Sequence, residues 1–114
     1  MKPWNSMTPR ERDALIAEKV MGWRKVNNLF EWPAKDSWIH IYDIPNFSTD
    51  IAAAWKVVEK LCSQFNIVLE CVSFEYNCHV NIPADLGSRV HARASSAQEA
   101  ICLAALKVVG VELE

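Results

Sequence analysis

The chain has 114 residues, of which 51% are hydrophobic, and a formal net charge of -2 at pH 7. This length suits one core, so we expect residues 1–114 to form a single domain. The apolar content excludes a disordered chain, and the slight negative charge excludes general attraction to nucleic acid or to an anionic membrane. Any site for an anion must therefore be a local concentration of positive side chains.

The four cysteines have neither the spacing of a zinc site nor the density of a secreted disulfide scaffold. Each lies in an apolar pattern, so we expect Cys62, Cys71, Cys78 and Cys102 to be reduced, metal-free core residues, with zinc binding as the weaker alternative. The chain has no apolar signal region and no run of the ~18 apolar residues that a membrane span needs. These features predict a cytoplasmic protein with no membrane partner.

A first helix is predicted to follow a short irregular start at residues 1–7. Thr8 and Glu11 have the spacing of a capping box, with Pro9 at the first helical position, and Gly22 suits the C-terminal end. The expected apolar side consists of Leu15, Ile16, Ala17, Val20 and Met21. The expected solvent side consists of Arg10, Glu11, Arg12, Asp13, Glu18 and Lys19.

The segment from Trp23 to Pro45 has no clear periodicity, although it contains three tryptophans. One interpretation is a connection that lies over the core and is held there by its aromatic rings. The other is that one or two rings form a stacking wall for a planar ligand. Within this segment, the alternation from Ser37 to Tyr42 predicts a short edge strand.

A central helix is predicted from Ser48 to Phe65, where Ser48, Thr49 and Asp50 supply candidate capping groups. Its expected core stripe consists of Ile51, Ala54, Trp55, Val58, Leu61, Cys62 and Phe65. Because Trp55 lies in the middle of this stripe, we expect it to be a core anchor whose removal costs on the order of 3–5 kcal/mol.

Three antiparallel strands are predicted next. Residues 67–74 are rich in β-branched and aromatic side chains and read as a buried strand that ends in a turn around Glu75. In the two strands that follow, apolar side chains alternate with polar ones. The expected inward set is Tyr76, Cys78, Val80, Ile82, Ser88, Val90, Ala92 and Ala94. The expected outward set is Asn77, His79, Asn81, Arg89, His91 and Arg93.

The last helix is predicted to begin at a capping box, either Ser95 with Gln98 or Ser96 with Glu99, and to reach Val109 before Gly110. Its residues are apolar on nearly every side, so one small domain is not expected to cover it. This pattern predicts a homodimer, with Ala100, Leu103 and Lys107 at the border of the contact.

These elements predict an α+β fold in which helices pack on a three-stranded antiparallel sheet, in the order α-α-β-β-β-α. Three segments, residues 8–23, 48–61 with its DIAAAW run, and 100–110, resemble the phage ABA sandwich domain, a family of small phage and prophage proteins. The resemblance implies an α/β/α sandwich, a phage or prophage origin and a place in the host cytoplasm during infection. It implies no catalytic residues.

The order of a helix, three strands and a helix is also that of a double-stranded-RNA-binding domain. Such domains hold phosphates with a lysine cluster at the start of the last helix. Here residues 95–100 read SSAQEA, which is acidic, so duplex nucleic acid is not an expected partner.

The outward residues of the last two strands form the candidate site. Arginine offers forked donors for phosphate or carboxylate, and asparagine can bind a base or ribose edge. The alternative is an ordinary solvated face. The residues predicted to bind a ligand are Arg89, Arg93, His91, His79 and Asn81, together with Trp38 and Trp32 from the long connection.

No catalytic motif is present, and a nucleophilic pair of one histidine with Cys71 or Cys78 cannot be inferred without spatial evidence. No enzyme activity, cofactor or metal is therefore expected. The first functional hypothesis is a phage binding protein that sequesters an anionic, nucleotide-derived ligand to counter a host defence signal. The alternative is a module that binds a host or phage protein through an apolar helix and exposed tryptophans.

Overall fold

The computed structural model describes residues 3–26, 29–33, 38–41, 44–81 and 89–111. A 3-10 turn at Trp4–Ser6 precedes three helices: α1 (Pro9–Lys19), α2 (Ile51–Cys62) and α3 (Ala97–Val108). Within these ranges, six strands form two sheets, with β1 (Arg24–Val26), β2 (Leu29–Pro33) and β3 (Trp38–Ile41) in one, and β4 (Asn66–Val72), β5 (Glu75–Asn81) and β6 (Arg89–Ala94) in the other.

Each sheet is antiparallel, with its strands side by side in chain order. The three helices and the sheet β4–β6 confirm the predicted α+β class and the α-α-β-β-β-α order, consistent with an α/β/α sandwich. The sheet β1–β3 was not predicted as a sheet, although β3 coincides with the strand expected at residues 37–42. No helix in the described part of the chain is long and apolar enough to span a membrane.

The helix ends follow the predicted capping chemistry. Thr8 and Glu11 form the capping box of α1, and the Glu99 amide donates to Ser96 Oγ at 3.3 Å at the start of α3. Asp50 caps α2 by accepting from the Ala52 amide at 3.2 Å. Gly22 and Gly110 follow α1 and α3 at φ values of 76° and 88°, in the left-handed region that glycine adopts without strain.

The core lies where α2 and α3 pack together over one face of the sheet β4–β6. Helix α3 covers β5 and β6, α2 covers β4, and α1 packs against α3. As a result, α3 is covered within a single subunit, including Ala100, which was predicted to border a dimer contact. Ala100 therefore cannot border a contact with a second subunit, because α1, α2 and the sheet already cover that side of α3, whereas Leu103 is half-buried and Lys107 is exposed. The homodimer itself stays a prediction.

The predicted core stripe of α2 is partly wrong. Trp55 is 50% exposed and Ile51 is 47% exposed, and Cys62 is also exposed. The buried side is rotated toward Ala53 and Val57, which join the correctly predicted Ala54, Val58 and Leu61. The helix turns this way because small and β-branched residues approach α3 closely, and the bulky indole is left on the open side.

Two predictions about strand β4 and the cysteines also need correction. Strand β4 was expected to be buried, yet most of its residues are exposed because it is an edge strand of its sheet. Cys71 on this strand is exposed, as is Cys62, so only Cys78 and Cys102 are core residues. All four cysteines are unpaired.

Asp13 was assigned to the solvent side of α1, but it is fully buried. Its carboxylate accepts from the Ser48 amide and from Ser48 Oγ, both at 2.8 Å, and from Arg10 Nη1 at 3.2 Å. These bonds fasten α1 to the segment before α2. The first residues are also more ordered than predicted, since Trp4 is buried beneath the Arg12 guanidinium, which lies 4.7 Å from the ring centroid.

Candidate functional site: the outer face of the sheet β4–β6

The outer face of this sheet is the side turned away from α2 and α3. The register places Asn81 beside Arg89, His79 beside His91, and Asn77 beside Arg93. Cys78, Val80 and Ala92 alternate with these residues and are buried on the inner face. The predicted alternation is confirmed, and the five site residues predicted on β5 and β6 lie on one surface.

The centre of the outer face is a pair of stacked histidines. The rings of His79 and His91 have centroids 4.5 Å apart and planes inclined by 17°. Desolvation, followed by the neighbouring charges of His79, Lys107 and Arg93, lowers the pKa of His91 below its ordinary 6.5. His91 is therefore largely uncharged at pH 7, and it acts there as a polar, planar group.

Two carboxylates on the same face were missed by the sequence analysis. Glu75 Oε2 lies 3.2 Å from Arg93 Nε, and Glu70 Oε1 lies 3.3 Å from His79 Nε2. The cross-strand register explains both contacts. Glu70 is opposite Asn77, which is two residues from His79 on β5, and Glu75 is two residues from Asn77, which is opposite Arg93. The positive charge predicted for this face is thus partly balanced by Glu70 and Glu75.

Arg89 differs from Arg93 in its surroundings. No ion pair or hydrogen bond joins the Arg89 guanidinium to another residue in the described ranges, and Arg89 is exposed at the start of β6. Its neighbour in the register is Asn81. Among the described residues, Arg89 is therefore the arginine of this face whose forked donors have no carboxylate partner.

Further hydrogen bonds hold the middle of the face in place. Asn77 Oδ1 lies 2.8 Å from His91 Nε2, and Lys107 Nζ donates to the backbone oxygen of His91 at 2.8 Å. The first bond favours the tautomer of His91 that carries its proton on Nε2, because a carboxamide oxygen only accepts. The orientation of His91 is thus set by β5 and α3 together.

The tryptophans of the long connection occupy different places. Trp23 is buried, and its ring centroid lies 5.9 Å from that of Phe47, which agrees with the interpretation that aromatic rings hold this connection on the core. Trp32 and Trp38 belong to β2 and β3, in the register Trp32 to Ile39 and Pro33 to Trp38. The side chains of Trp32 and Trp38 lie outside the described part of the structure.

A nucleophilic pair of Cys78 with His79 or His91 is not formed. Cys78 is buried on the inner face, whereas both histidines belong to the outer face. Burial raises the pKa of the Cys78 thiol to about 11, and burial together with nearby acidic groups raises the pKa of Cys102 further. Both thiols remain protonated at neutral pH and are poor nucleophiles.

Two other surface features were not predicted. An open cavity of about 340 Å³ lies at the start of α2, where Asn46, Asp50 and Lys56 are among its lining residues. Large apolar side chains are also exposed on α2 and β4, and Phe74 in the turn between β4 and β5 is 94% exposed. Among the residues whose positions are described, no cluster of three or more His, Cys, Asp or Glu side chains is placed to hold a metal ion.

Comparison with known proteins identifies the fold family. The family model for the phage ABA sandwich domain matches residues 14–106. A crystal structure of a phage protein from Bacillus cereus ATCC 14579 is similar, with a TM-score of 0.76 and 33% sequence identity, over 96% of this chain and 94% of that chain. The comparison with curated proteins gave no match. The chain therefore belongs to the phage ABA sandwich domain family.

Proposed function

We propose that this phage protein is a non-enzymatic binding protein that sequesters an anionic, nucleotide-derived ligand on the outer face of the sheet β4–β6. The observation that carries the proposal is the stacked pair His79 and His91, flanked in register by Asn81 with Arg89 and by Asn77 with Arg93. The pair supplies a planar surface, and the flanking side chains supply donors for phosphate and for sugar or base edges.

Arg89 is the first anchor in this proposal. Its guanidinium has no carboxylate partner among the residues that the structure describes, whereas Arg93 must exchange Glu75 for the ligand. The same reasoning explains why the ligand must be strongly anionic, because a neutral molecule cannot displace Glu75 from Arg93. A phosphate ester or diphosphate provides enough charge to compete with one exposed carboxylate.

The proposal also predicts a direction for the pH dependence. A bound anion favours the protonated form of His91 and so raises its pKa from the lowered value of the free protein. Binding therefore takes up a proton, and affinity increases as pH falls from 8 toward 6. The His91 pKa, followed by NMR with and without ligand, should move upward.

A thermal-shift screen with cyclic dinucleotides and ADP-ribose derivatives, followed by calorimetry, tests the proposal. Replacing Arg89 and Arg93 together by alanine should weaken binding by several kcal/mol, because hydrogen bonds to charged groups contribute roughly 1.5–3 kcal/mol each. The fold should survive, since both side chains are exposed. Lys60→Ala is the control, because it removes an exposed positive charge from α2 rather than from the sheet.

The same titrations can also contradict the proposal. Unchanged affinity in the double variant, or an equal loss in Lys60→Ala, would show that the outer face is not the binding surface. A positive result would also give the family membership a physiological meaning, because a phage protein that binds a host signalling nucleotide lowers its free concentration.

A second candidate function is binding of a host or phage protein, and the half-exposed Trp55 on α2 favours it. Ile51 lies one turn away on the same side of the helix and is also nearly half exposed. Large aromatic side chains at such positions are typical anchors of protein interfaces. Trp55→Ala should abolish binding of such a partner and leave anion binding unchanged, which separates the two candidates.

A further inference from the structure

Strand β4 is an unprotected edge of its sheet. It pairs with β5 on one side, and among the described residues no backbone hydrogen bond reaches it from any other element. The strand has seven residues and contains neither proline nor lysine, which are the residues that usually prevent edge pairing. Its one charged residue, Glu70, is already engaged by His79.

The side chains along this edge are apolar and exposed. Val68, Leu69 and Val72 are 49%, 37% and 55% exposed. Helix α2 packs against β4. Trp55 lies about 10 Å along the helix from the C-terminal end of α2, and Leu69 lies about 10 Å along the strand from the start of β4. The helix that packs against β4 thus also carries the half-exposed Trp55.

Phe74 provides an independent observation. It is 94% exposed, and both Ser73 and Phe74 have positive φ, at 52° and 65°, a conformation that non-glycine residues seldom adopt. A turn of this kind favours the sequence Asn-Gly. No contact within the subunit explains why a phenylalanine occupies this position, because its side chain is almost fully exposed. An exposed half of Trp55 and nearly all of Phe74 present on the order of 300 Å² of apolar surface, a large part of the ~800 Å² that each subunit buries in a stable dimer.

We infer that two copies of the chain associate by antiparallel pairing of their β4 strands, which joins two three-stranded sheets into one of six strands. A second copy fits this edge because the strand is complementary to itself. When Leu69 lies on the two-fold axis, all seven residues of β4 pair, and Val68 is opposite the partner's Glu70. If the axis passes through Val68 instead, only five residues of β4 pair. If it passes through Glu70, again only five residues pair, and the two Glu70 carboxylates lie opposite each other.

This pairing has two structural consequences. The hairpin tip with Phe74 extends past the end of the partner strand and reaches the partner's turn between α2 and β4, where the ring becomes covered. Opposite residues of antiparallel strands share a face, so the two outer faces lie side by side on the same surface of the six-stranded sheet. The dimer is independent of α3, and of whether the outer face binds an anion.

Charge substitutions at Val68 test the surface and the register. Sedimentation velocity of the full chain at high micromolar concentration should show a dimer. Val68→Glu places like charges opposite each other in two symmetry-related pairs and should weaken the dimer about tenfold. Val68→Lys places opposite charges together and should keep the dimer. Val109→Glu, at an exposed position on the far end of α3, is the matched control and should leave the dimer unchanged.

A cross-link tests the position of the two-fold axis. In a chain with Cys62→Ser and Cys71→Ser, Leu69→Cys should give a covalent dimer under mild oxidation, because directly opposite Cβ atoms lie about 4.5–5.5 Å apart. Val109→Cys in the same chain should give none. The cross-link tests the pairing of the two β4 strands even if a charged variant at Val68 fails to fold. A monomeric wild-type chain, including one that binds a different protein through β4, would overturn the inference, as would a dimer that resists Val68→Glu and forms no cross-link.

Discussion

Helices α2 and α3 have the same length of twelve residues and similar apolar content, but their surroundings differ. Six residues of α3 are buried, including Ile101, Cys102 and Leu106, and these lie on several sides of the helix. In α2 the buried residues form one side, and Ile51 and Trp55 face outward. The burial of an apolar residue thus depends on how many elements surround its helix, and the hydrophobicity of the helix alone does not decide it.

The largest effect is expected at Ile101, which is 1% exposed and lies in the part of α3 that its neighbours enclose. Ile101→Ala should reduce the free energy of unfolding by about 2–5 kcal/mol, because the enclosed site cannot collapse around the lost atoms. Urea denaturation measures this loss. A loss below about 1 kcal/mol would mean that α3 is not the enclosed helix, and would remove the contrast with α2.

A smaller effect is expected at Asp13, which fastens α1 and the segment before α2 around α3. Asp13→Ala leaves the buried Ser48 amide without an acceptor, whereas Ser48 Oγ can still donate to Pro9 O. We expect a loss of about 1–3 kcal/mol in the same denaturation experiment.

Asp13→Asn is the control for this change. Its side-chain oxygen can still accept from the Ser48 amide, so the asparagine variant should lose less stability than the alanine variant. Equal losses in the two variants would assign the effect to the charge of Asp13 and its bond to Arg10 rather than to the Ser48 amide.

The smallest effect is expected at Trp55, on the open side of α2. Trp55→Ala should reduce the stability of the monomer by about 1 kcal/mol or less, since substitutions at exposed positions seldom have large effects. The measurement belongs at low protein concentration, so that association does not contribute to the apparent stability. A loss as large as that of Ile101→Ala would restore the predicted core stripe and contradict the observed orientation of α2.

The features that depend on residues close together in the chain could be predicted from the sequence. The caps of α1 and α3 depend on residues within one turn: the structure has the predicted capping box at α1, and at α3 it has Ser96 as the cap, which is one of the two predicted alternatives. The alternation from Tyr76 to Asn81 and from Arg89 to Ala94 also requires no knowledge of neighbours beyond the pleat of the strand. The cluster of Asn77, His79, Asn81, Arg89, His91 and Arg93 therefore emerged from the sequence.

Other features depend on residues that are distant in the chain. Glu70 joins the outer face only because β4 pairs with β5 in one particular register, and Glu75 of β5 reaches Arg93 on the neighbouring strand β6. The sheet β1–β3 was missed because its strands have three to five residues each, too few to show a period. Asp13 resembles any other charged residue near a helix start until Ser48 is placed beside it.

The sequence by itself determined the class of the fold, the order of the three helices and of strands β4–β6, the helix caps, and which side chains of β5 and β6 share a face. These properties follow from interactions between residues a few positions apart. The tertiary structure decided that α3 is enclosed, that Trp55 is half exposed, that β4 is an open edge, and that Glu70 and Glu75 balance the arginines. Burial and charge balance result from the packing of distant segments, and a local pattern of apolar residues is compatible with more than one such packing.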